Sequence, residues 1–403
     1  MNKQLSEGLW RICCNVDSLQ YIESAGWDAL LGLLEWCAIR GCDNIIRTKS
    51  GRIGLAKDDP AFHAFQCLHL ILHAPELKHH VPFGIVGGIR ALIKGGERGR
   101  YSKLSTAGLD LLLVLHNRLE EIILRTKSGL KNSNTESSLQ DKETRWMNCW
   151  LSILDGMAEA GESSSFASVR QHALSMLTDA MIDKHGQAIS STHLCTLINE
   201  MCIPLAEKRI TALLNSSQLL VDSSNSEEIM IELEACISLI YKPFLHHLKV
   251  FLKTKDDKWI TIWKSMLKAM NLLLTGTLTA STTEMPSNSN NPEDSVENLD
   301  ASMASLNELL QTTKELASEH LRNAVMVLVA SDVLQSPSKD MMESEANIET
   351  NITAYTWKYI ENMEFCKNHV KEWERSAAIM TNEAIINDGD IPLIDVGEGA
   401  VGQ

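Results

Sequence analysis

Nowhere in its 403 residues does this chain hold about 18 consecutive apolar residues, so no segment reads as a membrane-spanning helix. The opening MNKQLSEGLW carries no apolar run of the kind a secretory leader needs. Alternating Val/Ile/Thr segments bounded by tight glycine turns are also missing, which removes sandwich and barrel architectures. Aromatic side chains are scarce at 5%, and leucine and alanine supply most of the apolar surface. Ten cysteines are present, yet none forms a CxxC pair or a cluster with zinc-finger spacing. Cys37, Cys149 and Cys202 fall on apolar stripes, where a free thiol behaves as a small hydrophobe. A reduced, cytosolic compartment is expected.

What is there is 44% hydrophobic and 22% charged, with a mean hydropathy of −0.09, the proportions of a globular protein with ample core material. The charge is unevenly placed. Residues 284–403 hold 22 acidic against 7 basic side chains and account for the whole net charge of −15, while residues 1–283 hold 30 of each. So acidic a C-terminal third argues against nucleic acid as a partner.

The densest pattern runs from Arg145 to Leu214. Trp146, Trp150, Ile153 and Met157 make one helical stripe, Val169, Ala173, Leu177 and Ala180 a second, and Leu194, Leu197, Ile198, Met201 and Leu205 a third. A polar turn is expected at Gly161–Ser165. Arg170 and Gln171 fall on the wet side of the second stripe, with Arg170 a candidate inter-repeat contact. No such helix can bury its face alone, so the expected fold is an all-α, HEAT-like helical solenoid, an α-α superhelix with disordered linkers and an acidic tail.

Along the chain, stripes predict helices at Gly26–Arg40, Ala61–His73, Pro82–Lys94 and Leu104–Leu124 within a helical block over 1–130. The opening residues look like a helix already under way, as in a fragment of a longer protein. Pro60 suits the first turn of a helix after the basic loop RTKSGRIGLAKDD. The RTKSG string recurs at Arg125–Gly129, as a duplicated corner or by chance. A polar connector, Asn132–Asp141, precedes a second block over 144–280, in which Pro204 and Pro243 are expected to kink helices or start new ones. A flexible linker is expected over 281–297, and a closing pair of short helices, Leu299–Ala317 and Ser318–Leu334, over 298–335. One long helix with a three-four rhythm, Ile348–Ala377, is expected within 345–384, followed by a disordered acidic tail over 385–403.

No catalytic constellation emerges. His69 and His73 share a helix face, but Leu70 stands where a zinc protease needs glutamate. Ser163–Ser165 has no GxSxG elbow and reads as a turn and helix cap. The glycines at 84, 87, 88, 95, 96 and 99 follow no strand, so neither a P-loop nor a dinucleotide site is indicated. No catalytic, cofactor-binding or metal-binding residue is therefore expected. Two basic segments remain. Lys78–Lys103 contributes Arg90, Lys94, Arg98 and Arg100. Lys242–Lys268, interleaved with aromatics, contributes Lys249, Lys253 and Lys255. These seven are candidates for contact with an anionic membrane or a partner, against the plainer reading of a solvated outer face.

Trp150–Ala158 and Val169–Leu177 also carry a resemblance. They are similar to the "W…LLD.MA" and "VR..AL..L" helices in the C-terminal region of large Golgi-type Arf guanine-nucleotide exchange factors, the GBF, Gea and GNOM class. GWDALLGLL at Gly26–Leu34, STAGLDLL within Leu104–Leu115, Trp259–Met270 and SEHLRNAVMVLVASDVL within Leu309–Leu334 extend the likeness over about three quarters of the chain. The resemblance implies the second and third homology regions downstream of the catalytic domain, in blocks 1–130 and 144–280. It also implies peripheral recruitment to Golgi and early secretory membranes, and partners among Arf- and Rab-type GTPases and an upstream exchange domain. The family's catalytic loop has a Pro-Gly-Glu core, and none of the nine prolines here is followed by glycine. Trp146, Trp150, Val169, Arg170 and Leu177 are then structural residues. A general α-solenoid scaffold or adaptor of a transport or coat complex is the alternative, and oligomer formation stays open.

Overall fold

The computed structural model describes residues 2–42, 45–47, 53–74, 84–124, 136–187, 189–215, 224–253, 257–276, 292–335, 351–363, 365–367 and 369–384. They are overwhelmingly helical. In chain order the helices are α1 (Asn2–Cys14), a single turn α2 (Val16–Leu19), α3 (Ser24–Arg40), α4 (Pro60–His73), α5 (Ile85–Arg98), α6 (Ser102–Leu124), α7 (Glu136–Ser163), α8 (Ala167–Ile182), the short α9 (Lys184–Gln187) and α10 (Ser191–Leu197). Then come α11 (Ile203–Asn215), α12 (Ser224–Lys253), α13 (Lys258–Thr275), α14 (Pro292–Ala330), α15 (Ile352–Asn362) and α16 (Val370–Ala384). One antiparallel pair, β1 (Ile45–Arg47) on β2 (Ile53–Leu55), is present, with β1 ending at the first residue of the segment expected to be a basic loop and β2 inside it. Three residues per strand leave the class all-α, as expected.

The chain divides into two compact units, Met1–Trp259 with Leu278–Leu309, and Ile260–Thr277 with Leu310–Gln403. In the first, each amphipathic helix finds its cover on neighbours. α3 packs on α4 and α5, α5 on α6, α6 on α7 and α8, and α8 on both α7 and α12. The stripes point into this stack: Trp150, Ile153, Met157, Val169, Ala173 and Leu177 are all fully buried. Asp59 begins α4 by accepting from the Ala61 amide at 2.8 Å, with Pro60 the first helical residue, and its Oδ1 also takes the Cys42 amide at 3.0 Å. Close crossings rely on missing Cβ atoms. A Cβ on Gly95 would lie 2.2 Å from the Ala38 carbonyl oxygen of α3. Burial raises the thiol pKa of Cys37 to about 11 and of Cys149 and Cys202 to about 12, which keeps these thiols inert.

The second unit centres on Trp263 of α13 and Trp357 of α15, both buried. Trp263 donates to Thr356 Oγ1 and Trp357 to the Gln335 carbonyl, each at 2.9 Å. Here two expectations need correction. The closing pair of short helices is one helix, α14, which starts at Pro292 inside the expected linker. The long helix over Ile348–Ala377 is two, α15 and α16, because Met363 leaves helical geometry and caps α15 in extended conformation.

Corrections also apply upstream. α7 starts at Glu136, inside the expected polar connector, and stays helical through Gly161 to Ser163, so the turn is only Ser164–Phe166. Pro204 needs no correction: as expected it stands at the start of a new helix, as the second residue of α11, after a π-helical turn at Ile198–Cys202. Pro243 lies inside an uninterrupted α12. The residues of 277–291, 336–350 and 385–403, and the second RTKSG string, lie outside the described residues.

Candidate functional site

The turn between α7 and α8 brings together several of the singled-out residues. Helix α7 ends at Ser163, and Phe166 opens α8 with no side-chain cap of its own. The serines between them are held by another helix instead. Glu97 of α5 accepts from the Ser165 amide at 2.9 Å, from Ser165 Oγ at 2.6 Å, and from Ser164 Oγ. Ser164 Oγ in turn accepts from the Phe166 amide at 3.2 Å. The serine run thus docks a turn onto α5, and Ser164 is buried.

Arg170 occupies the other side of the turn. Its guanidinium grips Glu232 of α12 through Nε at 2.8 Å and Nη2 at 2.7 Å, and Nη1 donates to the Ser164 carbonyl at 2.8 Å. Arg209 of α11 reaches the same carboxylate at 2.5 Å and the Glu162 carbonyl at 3.3 Å. Glu232 is 1% exposed and Arg170 14%, so the expected place of Arg170 on the wet side is corrected. Two fork-shaped cations on one buried carboxylate tie α8, α11 and α12 to a single point. Gln171, half-buried, donates to the Glu228 carbonyl at 2.6 Å in an exposed hydrogen bond.

The basic residues of α5 line a cleft of about 330 Å³ against α7. Arg90 at 2.7 Å and Lys94 at 3.0 Å converge on Glu159, whose carboxyl pKa falls below the usual range because these two cations outweigh its burial. Arg98 donates to the Ile39 carbonyl at 3.2 Å, and Arg100 is exposed with a positive φ of 53°. Lys249 and Lys253 lie far along the chain on the exposed face of α12, and Lys255 lies outside the described residues. The structure therefore joins Arg90, Lys94 and Arg98 to the turn and leaves the α12 lysines apart.

Sequence reasoning missed a cluster at the opposite end of α8 from this turn: buried His116 of α6, half-buried Asp183 just past the end of α8, and buried His185 of α9. Trp150 Nε1–H donates to His116 Nε2 at 3.1 Å, and the rings of Trp146 and Trp150 stack 5.8 Å apart. Its ligand types suit a cation, but the donors do not. An indole N–H can only donate, so His116 Nε2 must accept. The ring proton is then on Nδ1, which faces Asp183 Oδ2 at 3.8 Å as a donor rather than a lone pair. Asp183 Oδ1 accepts the amides of His185 at 2.8 Å and Gly186 at 3.1 Å, starting α9. Burial pushes the His116 pKa down, which holds the ring neutral. No spacing motif announces this cluster, because His116 and Asp183 come from different helices.

Other histidines pack without converging. His63 Nδ1 meets Ser6 Oγ at 3.0 Å, the His69 and His73 rings stack at 4.0 Å, and His247 Nε2–H donates to the Met181 carbonyl at 2.7 Å. The cluster and the turn hold helices together, and the geometry assigns them no reacting atom.

Residues 150–364, more than half of the chain, match the family described as "GBF1-like, tetratrico peptide repeat region". The chain belongs to the GBF1-like family. The GBF1-like span opens at Trp150, on the first stripe, and takes in both the Ser164–Phe166 turn and Glu232. It agrees with the resemblance to the C-terminal region of Golgi-type Arf exchange factors carried by Trp150–Ala158 and Val169–Leu177. The family describes its helix pairs as tetratricopeptide repeats, where the stripes had suggested HEAT-like ones. Both are stacked helix-turn-helix units of one solenoid class. No curated protein and no solved structure matches the chain.

Proposed function

We propose that this chain is a non-catalytic regulatory and membrane-recruiting region of an Arf guanine-nucleotide exchange factor acting in Golgi and ER–Golgi vesicular transport. The observation that carries the proposal is the GBF1-like match over residues 150–364, which makes this an Arf-exchange-factor-related helical region. Two further features support it. No proline in the sequence is followed by glycine, so the Pro-Gly-Glu exchange loop is not encoded here. The side chains that meet at the Ser164–Phe166 turn fix helices to one another, as a scaffold requires. Among the described residues no helix is long and apolar enough to cross a membrane, so recruitment would be peripheral, through surface charge. The partners are an Arf- or Rab-type GTPase, the Golgi membrane surface and an exchange domain upstream.

Purified chain tested for binding to GTP-loaded Arf and to vesicles containing phosphatidylserine checks this reading. Binding to either, with no nucleotide release from Arf by the chain alone, is the expected result. Binding to neither sinks the recruiting role.

A further inference from the structure

Two segments of the chain concentrate cations, and their surroundings set them apart. On α5, Arg90 and Lys94 are spent on Glu159, and Arg98 on the Ile39 carbonyl. On the last third of α12, Lys242, His246, Lys249 and Lys253 follow one another at steps of four, three and four residues, and all are exposed. Such steps place them on one helical face. Val250, 43% exposed, sits beside them. The opposite face is solid core: Phe244 is fully buried, with His247, Leu248 and Phe251 at 1–2% exposure. Lys242 faces Asp179 of α8, whose carboxyl pKa is raised by burial and drawn partly back by this lysine. His246 meets Gln187 at 3.1 Å. Lys249 and Lys253 have no carboxylate partner among the described residues.

Resting on the membrane-recruiting reading, we infer that this α12 stripe, and not the α5 cluster, is the face that contacts an anionic lipid surface. The helix macrodipole explains a cation only in the last turn, which holds Lys253 alone among these. The chemistry favours lipid over an acidic protein. The cations are lysines, point charges on flexible stems, without the planar fork that reads a defined carboxylate. A protein partner would need a buried aromatic or arginine anchor at its centre, whereas the aromatics of α12 all turn inward. A valine among long, snorkelling lysines suits the boundary of a bilayer.

Each lysine near an anionic surface contributes about 1 kcal/mol, about fivefold in partition. The test is co-sedimentation of the full chain with phosphatidylcholine vesicles, with and without phosphatidylserine, at 0.1 M salt. The combined K242Q, K249Q and K253Q variant is compared with R98Q/R100Q. All these side chains are exposed, and circular dichroism confirms that both variants keep their helices. The expected result is a loss of about a hundredfold for the α12 variant and of less than fivefold for the α5 variant. Wild-type binding that the α12 variant retains overturns the stripe and leaves the recruiting reading standing. A wild-type chain that ignores anionic vesicles overturns both. Loss of binding to immobilised polyglutamate, with vesicle binding intact, overturns the lipid assignment in favour of an acidic protein.

Discussion

Single residues decide more here than their positions on a helical wheel suggest. Glu232 is 1% exposed and carries two arginines, so removing its charge strands two guanidiniums against α12. Breaking a buried ion pair from one side costs about 3–5 kcal/mol. Glu232→Gln should therefore lower the unfolding free energy by that amount in a urea titration, and more than Arg209→Met, which leaves the Arg170 pair intact. Equal effects would show that Arg170 contributes nothing. The sequence marked Arg170 as an inter-repeat candidate but placed it in water, because its carboxylate lies 62 residues away. The same holds for Arg90 and Glu159, 69 residues apart. A count of basic residues cannot distinguish a cation that is already paired from one that is free. Burial drives the second residue-scale prediction. His116 and His247 both have pKa values lowered by desolvation, so the folded chain holds them neutral. Their contribution is complete above the ordinary histidine value near 6.5 and is lost as pH falls toward the lowered folded values. Stability should drop between pH 7.5 and 5.5 by up to about 1.4 kcal/mol per pH unit for each histidine. Replacing both with glutamine should flatten that slope in urea titrations, and an unchanged slope would place the titration elsewhere.

At the scale of elements, helix class was legible wherever a stripe of leucines repeats every three or four residues, and the buried set matches those stripes closely. Ends were harder. α7 begins at Glu136 within polar sequence, because helix formation propagates along the chain from a packed segment and does not need an apolar stripe over its whole length. The break between α15 and α16 was invisible because the turn buries its own apolar residues. Met363 and Cys366 are at 1% and 0% exposure, so the three-four rhythm runs on through a segment that is not helical. The glycines of α5 lie in a helix and have a packing cause that only neighbours reveal. Gly95→Ala makes the prediction quantitative. Alanine gains about 1 kcal/mol in helix propensity. Its Cβ would stand 2.2 Å from the backbone oxygen of Ala38, and backbone gives way less readily than a side-chain tip. Overpacking of this kind costs about 1–3 kcal/mol, and contact this short belongs at the upper end. A net loss of about 1–2 kcal/mol in thermal or urea unfolding is expected. A stabilised variant would mean that α3 can move away from α5 freely.

For the whole molecule, the controlling quantity is the separation of charge along the chain. Residues 1–283 are balanced, and residues 284–403 hold the net −15. The basic face proposed on α12 would therefore have to work against the net negative charge of the chain as a whole. The two forces differ in range. Lysines touching headgroups act over a few ångströms, while repulsion of the acidic third acts across the Debye length, about 30 Å at 0.01 M salt and about 10 Å at 0.1 M. Adding salt from 0.01 to 0.1 M should remove most of the repulsion before it removes the contact attraction, which weakens only as the Debye length approaches about 3 Å at 1 M. Binding to phosphatidylserine vesicles should accordingly pass through a maximum near 0.1 M salt. A protein held by its basic face alone would instead bind best at the lowest salt. Co-sedimentation across 0.01, 0.1 and 0.5 M salt separates the two cases, and a monotonic fall would show that the acidic third does not sense the membrane.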